Sequence, residues 1–233
     1  YRLRLTAPGT VDRNIVIVNI DEKSLAAEGR WPWPRHKLAQ LVHQLNVTYH
    51  VAVIGFDIVF AEADESSGIT VLSALARGPL RDDELFRAHF AALAPKLKYD
   101  DLFAQQLKIS PSVLGYYFTT VREIGKTTES GTLPPPTFLP AAFRGRHIDF
   151  VSANSYGANL ALLQNSAQAA GYFSFIPDVD GILRRVPMLI EFHGAYYGSL
   201  ALAVADAYLG SVPITPGFPE NHANGDSAPE WLQ

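Results

Sequence analysis

The 233-residue sequence predicts an α/β fold: a mixed, largely parallel sheet opened by a βαβ unit, helices on both faces, and an antiparallel hairpin near the C-terminal part. Three observations carry that expectation. Ile15-Val16-Ile17-Val18-Asn19-Ile20 is a nearly continuous β-branched run, as expected of a strand covered on both faces. Leu38, Leu41, Val42 and Leu45 then recur at i, i+3, i+4 and i+7, which is one face of a helix. Val51 to Phe60 supplies a second strand-like run, so strand, helix and strand follow one another and imply a right-handed crossover.

The remaining elements follow in order. Pro34 suits the first turn of the crossover helix, where its missing N–H is not needed. Leu85, Phe86, His89 and Leu93 line a further helix, and Asp100 reads as the N-cap of a short one carrying Leu102, Phe103, Gln106 and Leu107. Val113 to Phe118 predicts a third strand. Residues 127–140, rich in Thr, Gly and Pro, predict a surface loop. Gly171 to Phe175 and Ile182 to Phe192 flank Pro177-Asp178-Val179-Asp180-Gly181, and predict a hairpin about a Pro/Asp/Gly turn. Ser199 caps a final helix running through Leu200, Val204 and Tyr208. Residues 1–210 read as one domain, and 211–233 as an irregular tail or an incomplete membrane-proximal segment.

Composition narrows the function classes. A hydrophobic content of 48% supports a packed core. The net charge of −4, with no basic stripe, speaks against nucleic-acid binding. The absence of cysteine excludes disulfides, thiolate metal sites and Cys nucleophiles. The longest apolar candidate, Ser199 to Leu209, falls short of the ~20 residues that cross a bilayer and contains Asp206. No basic-then-apolar leader opens the chain, and a start at Tyr1 reads as a piece of a longer protein.

Candidate chemistry is sparse. His36, His43 and His50 lie seven apart, roughly 10 Å along a helix, too far to share an ion whose ligands sit ~2 Å from it. They read as a solvated face, and neither a metal nor a cofactor is expected. Asp178-Val179-Asp180-Gly181 resembles the opening of a calcium loop but lacks the later ligands and the closing Glu, so Pro177, Asp178, Asp180 and Gly181 read as a structural turn. Arg184 and Arg185 either pair with those carboxylates or grip an anion.

Asp21 and Asp57 fall late in the two predicted strands, where open α/β sheets bind ligands. They could meet a cation or work as acid and base. Alternatively, Asp21 caps a turn and Asp57 is a buried carboxylate bonded to backbone. In Trp31-Pro32-Trp33-Pro34-Arg35 the prolines hold their neighbours extended. The two indoles form a ligand cage or partner surface, or else a rigid lid in which Arg35 pairs with an acid. No P-loop, nucleophile elbow, dinucleotide fingerprint or His-Glu-x-x-His occurs, and no catalytic residue is expected. The candidate ligand or signal residues are therefore Asp21, Trp31, Trp33, Arg35, Asp57 and Arg184.

Ile15 to Leu25, Gly29-Arg30-Trp31-Pro32-Trp33-Pro34-Arg35 and Ile54 to Phe60 together resemble the opening of a CHASE domain of the second type. Gly171-Tyr172-Phe173, the Pro177 to Gly181 turn, Arg184-Arg185 and Ser199 to Ala203 continue the resemblance in order, over roughly residues 12–210. It implies an extracytoplasmic sensory input domain of a plasma-membrane receptor, answering a small-molecule or peptide signal. Transmembrane helices of the same polypeptide would join it to a cytoplasmic nucleotide cyclase, GGDEF/EAL enzyme, histidine kinase or Ser/Thr kinase, in a homodimeric receptor. It implies no catalytic residue. Ile214-Thr215-Pro216-Gly217-Phe218 and the polar tail depart from the family pattern. Two other functions compete on the residues alone: a soluble acid/base enzyme using Asp21 and Asp57, and a structural dimerisation module docking through the Trp-Pro segment.

Overall fold

A computed structural model describes residues 12–120, 129–143, 148–174, 186–218 and 231–232. The chain divides into two compact units, residues 1–33 and 34–233.

In the first unit the expected opening strand does not form. Ile15, Val16, Ile17 and Val18 are exposed, Ile17 to 87%, and residues 12–20 join no ladder among the described residues. A β-branched run is compatible with a strand, but a strand exists only when a neighbour takes its N–H and C=O groups. Helix α1 (Glu22–Glu28) follows. The Asp21 carboxylate accepts the Ser24 N–H at 3.0 Å, and Gly29, at φ +94°, ends the helix where a side chain would be strained.

The second unit begins with α2 (Arg35–Val47), where Leu38 and Val42 of the predicted stripe are buried and Leu41 and Leu45 half-buried, with Ala39 buried beside them. Strand β1 (Ile54–Phe56) is shorter than the apolar run that suggested it. Helices α3 (Ile69–Arg77), α4 (Glu84–Leu97) and α5 (Tyr99–Ile109) lead to β2 (Ser112–Thr119). Asp100 is not the N-cap of α5; that position is Lys98, and the Asp100 carboxylate is used elsewhere. The chain continues through β3 (Ser155–Gly157), α6 (Ala161–Gln164), β4 (Ala169–Tyr172), β5 (Leu189–Phe192), β6 (Ala195–Gly198) and α7 (Leu200–Tyr208).

Strand β2 is the centre of the sheet. β1 pairs parallel with its residues 112–114, β4 pairs parallel with 113–116, and β3 pairs antiparallel with 117–119. The largely parallel mixed sheet is therefore present, but its first strand is Ile54–Phe56 and not Ile15–Ile20. Helix α2 packs on α5, and α7 on β4. At Gly171 a Cβ would lie 2.5 Å from the Leu200 Cα, so only glycine lets α7 approach β4 this closely. Ser199 caps α7 as expected, accepting the Leu202 N–H.

The antiparallel hairpin also exists, with a different partner from the one expected. β5 pairs with β6 across His193-Gly194, both at positive φ, the signature of a tight primed turn. Gly171 and Tyr172 belong instead to β4. The turn residues Pro177, Asp178, Asp180 and Gly181, like Arg184, lie outside the described residues. Within residues 129–139, Ser130, Thr132 and Phe138 form isolated bridges and Phe138 is buried, and in the tail Pro216–Gly217 (β7) pairs with Trp231–Leu232 (β8).

The core has an aromatic centre under α2 and α5, where Phe56, Phe60 and Phe103 meet edge to face at 5.1–5.9 Å. Phe103→Ala should cost about 3–5 kcal/mol of unfolding free energy by urea denaturation, because its ring is fully enclosed. Leu85→Ala, on an exposed face, should stay within about 0.5 kcal/mol.

Candidate functional site

The most organised polar constellation gathers around Arg35, at the start of α2. Pro34 precedes the helix and offers no side-chain cap. The first-turn N–H groups still need an acceptor. The Asp64 carboxylate, 29 residues away, supplies one by accepting the Arg35 backbone N–H. The guanidinium lies over the Phe60 ring, its Cζ 4.5 Å from the centroid, and its Nη2 donates to the Glu62 carbonyl at 3.2 Å. Its Nε stands 3.5 Å from Asp100 Oδ1. Asp100 Oδ2 accepts the Asp64 N–H at 2.9 Å, and Asp64 Oδ1 accepts the Ser66 N–H at 2.8 Å. Arg35 thus ties α2, residues 60–66 and the first turn of α5 together while remaining only 8% exposed.

The two acids are held differently. Burial pushes Asp64 upward, but the hydrogen bonds from Ser66 and the Arg35 amide, with the Arg35 charge, outweigh it and hold the carboxyl below its ordinary value. At Asp100 burial dominates. The Asp64 N–H and the Arg35 charge do not offset it, and the carboxyl is pushed up. Burial also lowers Arg35, with Asp100 and then Asp64 acting against it, and the guanidinium remains a cation at neutral pH. Arg35 Nε and Asp100 Oδ1 face each other without a well-formed hydrogen bond, so this ion pair is only half made.

The other sequence candidates are placed as follows. Trp31 and Trp33 meet edge to face at 5.8 Å, and the Trp33 indole N–H donates to the Gly29 carbonyl at 2.8 Å. The indoles therefore spend part of their surface on each other rather than framing an open cage. Asp21 is the α1 cap, and hydrogen bonds from the Ser24 amide and hydroxyl lower its pKa. Asp57 is exposed and takes no hydrogen bond among the described residues, in place of the buried, backbone-bonded carboxylate expected there; β1 ends at Phe56, one residue before it. Arg184 lies outside the described residues. His36 and Tyr99 meet with ring centroids 4.3 Å apart and planes tilted by 47°, while His43 and His50 are exposed. Among the described residues no group of three His, Cys, Asp or Glu side chains is placed to hold a metal ion. Sequence reasoning found Arg35 and missed Asp64 and Asp100 as its partners, since nothing local in either segment points to a residue 29 or 65 positions earlier.

The family model for the CHASE2 domain matches residues 1–230, nearly the whole chain. The chain belongs to the CHASE2 family. No curated protein and no solved structure matches it. CHASE2 is a family of extracellular sensory domains, not catalytic ones, so this CHASE2 chain is a sensory domain of extracytoplasmic type. No helix among the described residues is long and apolar enough to cross a membrane.

The Arg35 cluster should be visible in stability. Arg35→Met should cost roughly 2–3 kcal/mol, less than removing one partner of a fully buried pair because Asp64 and Asp100 keep some contact with water. The two acids should act with opposite sign. Asp64, lowered, contributes stability that is full above its ordinary value of 3.8 and lost as pH falls through the folded value, so Asp64→Asn should flatten the acid limb. Asp100, raised, favours the fold when protonated and loses that contribution as pH rises through 3.8 to the folded value. Asp100→Asn should remove that decline in urea titrations across about pH 3–6.

Proposed function

We propose that this CHASE2 domain is the extracytoplasmic input module of a bacterial transmembrane receptor. Its output would be a cytoplasmic enzyme such as an adenylate or diguanylate cyclase, a phosphodiesterase or a protein kinase. The observation that carries this reading is the family match across residues 1–230. Binding of a small-molecule or peptide signal would favour one of two conformations of the domain, and flanking transmembrane helices of the same polypeptide would carry the difference inward.

The structure bears on where such a change would register. Arg35 joins three segments through one guanidinium and two unequally satisfied carboxylates, and its Asp100 contact is incomplete at 3.5 Å. A signal that shifts residues 60–66 against α5 would remake that contact. With Arg35 enclosed, we assign it to relaying the change and leave direct ligand contact to exposed positions such as Asp57, with Trp31 and Asp21 as further candidates.

Compartment and binding test the proposal separately. In the full gene product, alkaline phosphatase fused within this domain should be active and a fluorescent protein fused there dark; the reverse pattern overturns an extracytoplasmic location. In a thermal-shift screen against metabolites and short peptides, a true ligand at a hundred times its dissociation constant should add ~2.7 kcal/mol. Failure of every compound that activates the full receptor to stabilise the domain would remove it from the role of sensor.

A further inference from the structure

Between α7, the start of β4 and residues 134–137 and 212–214 lies an open cleft of about 320 Å³, at the small end of the range for small-molecule sites. It exists because Ala169 and Ala170 of β4 and Ala203 of α7 contribute only methyl groups to its lining. The segments around it are held in place. Pro134 and Pro135 have a fixed φ, and just beyond them Thr137 Oγ1 accepts the Gly198 N–H at 2.9 Å. Ile214 packs on the buried cluster that contains Leu202. The Ser211 N–H donates to the Asp206 carbonyl at 2.8 Å, and Gln168 Nε2 donates to Ser211 Oγ at 3.3 Å. An occupant of such a cleft need not order it first.

One charge enters the lining, and it is negative. Asp206 is half-buried, and its carboxylate meets neither a donor nor a cation among the described residues. No lysine, arginine or histidine among them lines the cleft. Asp206 also stands in the last turn of α7, which carries no basic residue, so it adds to the negative end of the helix dipole instead of offsetting it. Gln168 gives its amide N–H to Ser211 and keeps Oε1 as a further acceptor. Beside these oxygens the prolines, Leu202 and Ile214 offer apolar surface. That combination repels an anion and suits a cationic N–H head carrying an apolar body. A bare metal ion would find a single carboxylate where it needs several oxygen ligands.

We propose that this cleft binds a small organic ammonium ion, with its N–H groups on the Asp206 carboxylate and its apolar body against Pro134, Pro135 and Ile214. Asp21, Trp31 and Asp57 do not line it, so it is a site additional to the exposed positions considered above. The assignment rests on the cleft alone, and its failure would leave the sensory reading untouched.

The test is calorimetric titration of the whole 233-residue chain with hexylammonium and phenethylammonium chlorides. Sodium hexanoate supplies a similar body with the opposite charge, and methylammonium the head without the body. At least one of the two larger ammonium ions should bind saturably at one site per chain, and hexanoate should not bind. Methylammonium should bind about tenfold more weakly or not at all. Asp206→Asn should weaken ammonium binding by about tenfold without lowering the thermal unfolding midpoint, because the lost charge opposes the helix dipole. Ala203→Leu, which fills the cleft, should abolish binding. The proposal is overturned if neither larger ion binds saturably, if hexanoate binds as well as hexylammonium, or if Asp206→Asn binds as tightly as the wild type. Should Asp206→Asn not fold, Ala203→Leu decides, and unchanged affinity in that variant sinks the site.

Discussion

The fold depends on one constraint, the satisfaction of strand β2. Ser112 to Tyr116 and Phe118 are buried, so the backbone groups along this strand must find partners inside the protein. On one edge β4 takes residues 113–116, and Phe173 and Ser174 continue the bonding to Tyr116 and Phe118. On the other, β1 stops at the Phe56–Leu114 register and β3 begins at Tyr117. The Gly115 carbonyl falls in the gap. The fully buried Asn159 fills it: its amide donates to that carbonyl at 3.0 Å while its oxygen accepts the Phe60 N–H at 2.8 Å. One side chain splices two strand edges. Position 115 has no room for a side chain, since a Cβ would meet the Phe56 carbonyl at 2.3 Å.

From that splice the candidate site follows. Asn159 holds Phe60, the Phe60 ring lies under the Arg35 guanidinium, and Arg35 closes on Glu62 and faces Asp100. The polar cluster is therefore anchored to the centre of the sheet through a chain of direct contacts. A displacement at residues 60–66 is resisted at both ends, by a buried amide on one side and a buried cation on the other.

What could be read from the sequence is what depends on short-range repetition. Helix α2 and the Ser199 cap of α7 follow from spacing and offset, and β2 from an apolar run, whereas Asp21, open in sequence between a ligand and a turn cap, caps the unexpected helix α1. What could not be read depends on partners far away in the chain. Asn159 sits between Ala158 and Leu160 with no local signal, yet bonds residues 44 and 99 positions earlier. Asp100 has the look of a cap because an apolar helix follows it, and its carboxylate goes to the Asp64 amide instead. Ile15 to Val18 shows the limit of composition: β-branching permits a strand, and pairing makes one. The Pro177 to Gly181 motif, which points to a hairpin further upstream, lies outside the described residues, while His193-Gly194 carries the turn of β5 and β6.

The Trp-Pro segment and Arg35 divide their work differently from what their prominence suggests. The tryptophans carry part of the sequence resemblance, and their own geometry is ring against ring, with one indole N–H on the Gly29 carbonyl. Arg35 is the residue whose chemistry no substitute reproduces. A lysine could reach one acceptor, but it could not lie flat on Phe60, donate sideways to Glu62 and face Asp100 at once. The two acids it serves are unequal, Asp64 well bonded and held low, Asp100 short of one partner and pushed up. In the receptor role proposed above, the alternative state would be one in which Arg35 bonds Asp100 fully and loosens its hold on the Glu62 carbonyl. A sensory domain needs a place where a small displacement changes which contacts are made, and under that proposal an enclosed cation between two unequal anions would provide it without touching the ligand.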